Sequence, residues 1–487
     1  MSFRSLPSPA LLRVELLAGL VVALALIPEA ISFSLIAGVD PRVGLYASFT
    51  MAVAIAFTGG RPAMISAATG AMALVVVSLV DEHGLQYLLA ATLLAGAIQV
   101  GLGALGVAKL MRFVPRAVMT GFVNALAILI FLAQLPYLRD VPWPVYPLVA
   151  VGLLVLFLLP RVTSAVPAPL VAIVALTLFT VLVDVDVPTV GDEGELPSSL
   201  PVLGIPDVPL SFETLRIVAP YSFTLAVVGL LESLMTAQLV DDVTETRSDK
   251  GREARGQGIA NLVTGLFGGM PGCAMIGQTM INVRASGART RISTFCAGAF
   301  LIVLVVALGG VVAVIPMAAL VAVMVLVSVS TFEWRSIAPA TLRRMPAGET
   351  AIMALTVAVT VATHNLALGV AAGVTAAAVV FARRVAHLVD VTSVLDPDGS
   401  TRVYAVSGDL FFASDRELVD AFDYSGDPPR VVVDLSRAHV WDASAVAALD
   451  AIETKYAAHG VTVELSGLNE RSARLRADLS DRLVPAA

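Results

Sequence analysis

The chain has 487 residues, 57% of them hydrophobic and only 14% charged, with a net charge of −7. A soluble domain carries about a quarter of its residues as charges, so most of this surface does not face water. The acidic balance argues against a nucleic-acid partner, and two cysteines in apolar surroundings, Cys273 and Cys296, make neither a disulfide framework nor a zinc site.

The first residues carry Arg4 and Arg13 and lead into an apolar run too long for a signal peptide, which reads as the first spanning helix. Fourteen apolar segments begin near Glu15, Gly44, Thr69, Tyr87, Arg116, Pro144, Val166, Ile217, Arg255, Met275, Thr290, Pro316, Glu349 and Leu366, the last ending near Leu388. The third and tenth are too short to cross a hydrocarbon core of about 30 Å alone. Loops after even-numbered segments hold Arg61, then Lys109, Arg112 and Arg116, then Arg161, with further arginines at 247, 252, 255, 284, 289, 291, 335, 343 and 344. The opposite loops are poor in positive charge, and the longest, Asp184 to Glu213, has no Lys or Arg. That asymmetry is the positive-inside pattern and puts both termini in the cytoplasm. Residues 1–390 form the membrane domain on this reading.

Near Val391 the apolar runs give way to alternating patterns of ordinary charge content. Thr401–Val406, Arg430–Leu435 and Val461–Leu465 read as strands, and Arg416–Phe422 and Ser444–His459 as helices. Residues 391–487 are therefore expected to form a small cytoplasmic α/β domain, with Ser444 as a helix N-cap or a regulatory point.

Gly59-Gly60-Arg61-Pro62-Ala63-Met64-Ile65 recurs loosely as Gly268-Gly269-Met270-Pro271, two further residues, then Ala274-Met275-Ile276. A glutamate inside the membrane precedes each copy, Glu29 in the first segment and Glu232 in the eighth. Glu29 to Gly70 and Glu232 to Cys273 span the same distance in sequence. Copies seven segments apart have opposite orientations, which predicts a 7+7 inverted repeat of the kind secondary transporters use.

The two short segments carry the chemistry. Glycine and proline break the chain before Thr69-Gly70-Ala71-Met72, and again before Met275-Ile276-Gly277-Gln278. A helix that starts inside the membrane presents unpaired N–H groups and a positive dipole end, and two such ends make an anion site without a buried cation. Glu29, after Pro28, is either a proton-coupling group or a permanently hydrogen-bonded carboxyl. Glu232 with Thr236 one turn on is either a proton or sodium site or a structural pair. Phe33 walls the site or merely packs, and Gln278 is a candidate ligand contact. No catalytic triad, Walker loop or metal cluster is present, and Gly256-Gln257-Gly258 has no preceding strand, so neither an enzyme nor a cofactor is expected.

These residues together resemble the SulP family, solute carrier family 26. The matching stretches are Ile27–Phe33 with Gly44-Leu45-Tyr46, Ile65–Gly70, Gly229–Leu234, Gly256–Asn261 and Gly268–Pro271. Gly408–Ala413 and Val431–Ser436 look like a STAS domain. The resemblance implies a core domain (segments one to four and eight to eleven) moving against a gate domain (five to seven and twelve to fourteen) in an elevator-like cycle. It places the anion near Phe33, Thr69, Gly70, Ala71 and Met275 to Gln278. It also implies a homodimer, a bilayer setting in the bacterial inner membrane, and a protein partner for the STAS domain. Three departures stand out: relatives often carry Gln at the position of Glu29, Arg at that of Gln278 and Pro at that of Ala71. An acid at position 29 points to proton symport of a small inorganic or organic anion, sulfate, bicarbonate or a dicarboxylate. An uncoupled exchanger or channel and a sodium symporter are the alternatives of the same fold. A non-transporting sensor needs no midplane site, and a nucleobase permease carries no STAS-like tail.

Overall fold

Proline, serine and threonine set where the membrane helices begin. A computed structural model of the chain describes residues 8–109, 114–162, 168–386 and 389–480. Arg4, Arg112, Leu388 and the expected seventh start at Val166 lie outside the described residues. Helix α1 (Pro9–Ile36) starts with Pro9 at its first position, and Ser8 Oγ accepts the Leu11 N–H at 3.3 Å. It begins earlier than the apolar run suggests, because a capped polar turn extends it beyond Glu15. After it come α2 (Pro41–Thr58), strand β1 (Ser66–Ala68), α3 (Gly70–His83), α4 (Leu85–Ala104), α5 (Arg116–Leu132), α6 (Val145–Val162) and α7 (Ala168–Val183). The second half runs through α8 (Phe212–Thr244), α9 (Lys250–Leu266), strand β2 (Gly272–Ala274), α10 (Ile276–Met280) and α11 (Arg291–Ala307). Short α12 (Gly309–Ala313) is followed by α13 (Met317–Thr331), short α14 (Pro339–Leu342), α15 (Ala347–Thr363) and α16 (Leu366–Ala386). The fourteen expected segments all appear; α12 and α14 are extra short turns, α12 lying inside the uncharged stretch that joins α11 to α13. Six of the described helices are long and apolar enough by themselves to cross a bilayer, α1, α4, α6 and α8 among them.

The packing has the symmetry of the repeat. α4 lies on α9 as α11 lies on α2, and α4 meets α8 as α11 meets α1. α6 meets α13 as α15 meets α5. Glycine permits the α4–α9 crossing: a Cβ on Gly96 of α4 would sit 2.7 Å from the Gly258 carbonyl of α9, and one on Gly258 would sit 2.6 Å from the Gly96 carbonyl. The Gly256-Gln257-Gly258 motif is thus a helix-packing device.

The register of the second copy differs from the sequence alignment. Thr69 is the N-cap of α3 and Met275 the N-cap of α10. The equal spacing read in the sequence pairs Gly70 with Cys273, whereas the caps shift that correspondence by three residues.

On the arginine-bearing side, several charges turn out to be structural. Arg61, counted above as a loop charge, is buried. It donates to Asp241 at 3.0 Å and to the hydroxyls of Thr244 and Thr246 at the end of α8. Lys250 Nζ reaches the other Asp241 oxygen at 2.8 Å. Buried Glu253 accepts the Gly60 and Arg61 N–H groups at 2.7 and 2.8 Å, and buried Glu15 accepts those of Arg289 and Thr290 at 2.7 and 3.0 Å. These carboxylates pair backbone donors that hydrocarbon would leave unsatisfied.

The chain divides into two compact units after Val374. The second contains a four-stranded sheet in the order β3 (Asp390–Leu395), β4 (Thr401–Leu410), β5 (Arg430–Val440), β6 (Thr462–Ser466). β3 and β4 are antiparallel and the other pairs parallel. Helices α17 (Asp415–Asp420), α18 (Ala443–Ala458) and α19 (Glu470–Leu479) complete the unit, and β3 and α19 are additions to the elements expected. The core joins Val431, Val433 and Leu435 of β5 to Val446, Leu449 and Ile452 of α18. Buried Asp427 accepts from Tyr404 at 2.7 Å and from Tyr456, and pairs with Arg402 at 3.1 Å. Burial beside this carboxylate raises the Tyr456 phenol far above its ordinary range. The N-cap of α18 is Asp442, which accepts the Ala445 N–H at 3.0 Å; Ser444 is already inside the helix, so its expected capping role is corrected.

Candidate functional site

The third and tenth segments are short because each is a strand followed by a half-helix. β1 and β2 pair antiparallel, Ser66 with Ala274, Ala67 with Cys273 and Ala68 with Gly272. The pair is extended by Met275 N donating to the Ile65 carbonyl at 2.9 Å and by Ile65 N donating to Thr279 Oγ1 at 3.0 Å. Gly272 is required here, since a Cβ would lie 2.4 Å from the Ala67 carbonyl. Both half-helices therefore start from one two-stranded crossing deep in the membrane domain. α10 then widens into a π turn over Ile281–Ala285, a feature often found where helices line functional sites.

Asn261 of α9 holds that crossing. Its side chain accepts the Gly272 N–H at 2.9 Å and donates to the Gly272 carbonyl at 3.0 Å and to Gln99 Oε1 at 2.9 Å. Asn261→Leu removes all three in a buried setting, where each orphaned backbone group costs about 1–3 kcal/mol. The variant is expected to melt well below the parent in detergent-based thermal unfolding; an unchanged midpoint would contradict this role.

Beside the crossing lies a cavity of about 660 Å³. Its lining includes Glu29 and Phe33 of α1, Thr69 and Gly70 at the start of α3, Met275 to Gln278 at the start of α10, and Glu232 of α8. The opposite wall is apolar, built from Phe122, Leu126 and Ile130 of α5, Leu156 of α6, and Leu326 and Val327 of α13. The lining extends to Pro160, Ala168, Ser286 and Thr331, at segment ends on the arginine-bearing side. No Lys or Arg is among the described lining residues, so the positive potential inside it comes from helix N-termini.

Within the cavity Gln278 Nε2 donates to Glu29 Oε1 at 2.8 Å, while the buried Gln278 Oε1 has no partner. Pro28 removes the helix hydrogen bond one residue before Glu29, and Ser32 Oγ donates to the Pro28 carbonyl at 2.9 Å. Phe33 packs over the α3 start, its ring 3.0 Å from where a Gly70 Cβ would stand. Gly277 faces open space, with no atom within 4 Å of its would-be Cβ.

Two expected site residues stand back from the cavity. Ala71 is fully buried and absent from the lining, because the second residue of the half-helix turns away from the opening. Thr236 is also buried, and its hydroxyl donates to the Glu232 main-chain carbonyl at 2.8 Å instead of joining the carboxylate as a cation ligand. Glu232 is instead bonded to Cys273, whose Sγ donates to its Oε2 at 2.9 Å. Cys273 thus sits in a polar chain, contrary to the apolar setting read from its neighbours. The apolar wall from α5, α6 and α13 is likewise new, since nothing in its residue types marks it.

The sulfate permease family model matches residues 12–151 and 138–356, and the STAS domain model matches residues 394–481. The Bacillus subtilis (strain 168) protein named "Putative sulfate transporter YbaR" is 56% identical over 464 residues, covering 95% of this chain and 96% of its own. The solved transmembrane domain of the cyanobacterial bicarbonate transporter BicA superposes with a TM-score of 0.65 at 24% identity, covering 77% of this chain and 98% of that one. The murine solute carrier 26 family member A9 anion transporter, solved in an inward-facing state, superposes with a TM-score of 0.80 at 16% identity, over 97% of this chain and 88% of its own. At these identities the two structures speak to the fold alone.

Proposed function

The chain belongs to the sulfate permease family, multi-pass membrane anion transporters, and ends in a STAS domain, and on that premise we propose that it is a proton-coupled symporter of a small anion of the sulfate, bicarbonate or dicarboxylate class. The observation that carries this reading is the juxtaposition of two half-helix starts and Glu29 around one cavity with no Lys or Arg among its described lining residues. The N–H groups at Gly70 and at Ile276 to Gln278 have no intrahelical acceptor, so an anion between the two ends satisfies them. With no fixed cation, the charge of a second acid beside the anion is costly, and a proton on Glu29 relieves it.

In this reading the anion and the proton travel together. The core helices α1–α4 and α8–α11 carry the half-helix crossing, and of the gate helices α5–α7, α13, α15 and α16, α5, α6 and α13 supply the apolar wall. Sliding of one against the other moves a site that is already built, so the backbone donors need not be remade during transit. By the positive-inside rule the cavity mouth faces the cytoplasm, which makes this an inward-open arrangement in the bacterial inner membrane with both termini cytoplasmic. A homodimer and a cytoplasmic protein partner on the STAS domain belong to the same reading.

The test is uptake of labelled sulfate, bicarbonate and succinate into proteoliposomes, with and without an inward proton gradient. One anion of the panel is expected to accumulate only with the gradient. Uptake that ignores the gradient would refute symport and leave exchange or a channel, and gradient-independent uptake requiring sodium would move the coupling to that ion.

A further inference from the structure

The cavity holds a second acid for which the scheme above has no use. Glu232 is 7% exposed, lines the cavity, and makes its side-chain hydrogen bond with the Cys273 thiol at 2.9 Å. That thiol is in turn 3.2 Å from Thr69 Oγ1, where either atom is able to donate. Thr69 also lines the cavity and accepts the Met72 N–H at 3.4 Å as the cap of α3. A three-member chain thus joins a buried carboxyl to the hydroxyl at one of the two anion-facing helix starts.

We propose that Glu232, Cys273 and Thr69 form a proton-linked donor switch, in which protonation of Glu232 turns the Thr69 hydroxyl toward the anion. The inference rests on the cavity being the anion site and not on Glu29 being the coupling group. With Glu232 ionised, the thiol proton is committed to the carboxylate. The only bond left between sulfur and Thr69 is then Thr69 O–H donating to Sγ. Thr69 in that state shows the cavity a lone pair, which repels an anion. One proton added to Glu232 Oε2 reverses both bonds: the carboxyl O–H donates to Sγ, and the S–H donates to Thr69 Oγ1. The Thr69 oxygen then accepts from both Cys273 and Met72, and its own proton is free to point into the cavity. Each heavy atom keeps its place and its own hydrogen; two rotors turn and one proton enters.

The surroundings leave Glu232 few competitors. Among its hydrogen-bond partners and the described lining residues, the titratable groups are Cys273 on β2 and Glu29 on α1. The starts of α3 and α10 present Thr69, Gly70 and Met275 to Gln278, none of which carries charge; against α8 itself, α4 sets neutral Gln99, its Nε2 2.8 Å from where a Gly229 Cβ would stand, bonded to neutral Asn261 of α9. The unpartnered Gln278 Oε1 in the same cavity marks a site whose polar groups lack a ligand.

The chain has two cysteines, so Cys296→Ala leaves Cys273 as the lone thiol for infrared difference spectroscopy of the full chain in lipid. Stepping from about pH 8 to about pH 5 is expected to raise a protonated-carboxyl band absent in Glu232→Gln. The S–H stretch should shift with it, because the thiol's acceptor changes from carboxylate to hydroxyl. A thiol band that stays put as the carboxyl band rises, a shift that survives in Glu232→Gln, or a Glu232 that never titrates over this range overturns the switch. Equilibrium sulfate binding in a Glu29→Gln background reads its consequence. Cys273→Ser is expected to keep an affinity that falls by about tenfold toward high pH, roughly the value of one hydrogen bond to a charged ligand. Cys273→Ala, which frees the Thr69 hydroxyl at every pH, is expected to bind at pH 8 nearly as tightly as at pH 5; identical pH profiles for the Ser and Ala variants overturn the proposal. The spectroscopy needs no gradient, so a switch seen there together with gradient-independent flux would refute symport at Glu29 alone.

Discussion

Glu29→Gln is expected to abolish accumulation driven by a proton gradient while leaving anion exchange in place. A gradient of one pH unit is worth about 1.4 kcal/mol per proton, which supports about tenfold accumulation in an electroneutral one-proton cycle. In the variant that ratio should fall to about one. The substitution is close to isosteric, and Gln278 Nε2, 2.8 Å from Glu29 Oε1, still has an amide oxygen to meet. The half-helix crossing of β1 and β2 is untouched, so the anion keeps its backbone donors. Only the titration is lost. In the proposed cycle the proton on Glu29 is taken up with the anion and given up with it, and an amide has no proton to take up or release. Counterflow exchange, which needs no net proton movement, should continue within a few-fold of the parent rate. Retention of gradient-driven accumulation in this variant would remove Glu29 from the coupling role.

Much of this site was legible in the chain. Glycine and proline before Thr69 and Met275 announce helices that start inside the membrane, and an acid after Pro28 in an apolar run has few innocent explanations. The pairing of β1 with β2 was not legible. Each strand has three residues, too few for any period, and they meet across more than two hundred residues of chain. Cys273 was misjudged for a related reason: its sequence neighbours are apolar, and its polar partners Thr69 and Glu232 come from α3 and α8. The wall formed by Phe122, Leu126 and Leu326 carries no chemical signature, because a residue that excludes water looks the same as one that packs a core. In the C-terminal unit, Asp442 outcompetes Ser444 as cap because its backbone is extended and its carboxylate reaches two N–H groups, of Ala445 and Phe412. Strand β3 escaped notice because it pairs along only one edge and is largely exposed, so its burial leaves no alternation to read.

On the proposed symport, Gln278→Arg should leave only exchange, by a different route. Gln278 is 2% exposed and already touches Glu29, so a guanidinium at this position stands beside the carboxylate and faces the same cavity. At an effective dielectric constant near 20, opposite charges about 4 Å apart attract by about 4 kcal/mol, equivalent to almost three pH units of titration. Glu29 would then stay ionised across the range from about pH 5 to 8, and no proton would be taken up or released in the cycle. Accumulation under an inward proton gradient is expected to fall to about unity, with exchange rates flat over that pH range. Adding Glu29→Gln to Gln278→Arg frees the guanidinium from its partner and places an uncompensated cation at the half-helix ends. Anion affinity in the double variant should therefore exceed that of Gln278→Arg alone, by about tenfold for one charge-assisted hydrogen bond. If Gln278→Arg still accumulated anion against a gradient, the proton would have to enter elsewhere, and Glu232, the other acid on the cavity lining, would become the coupling group.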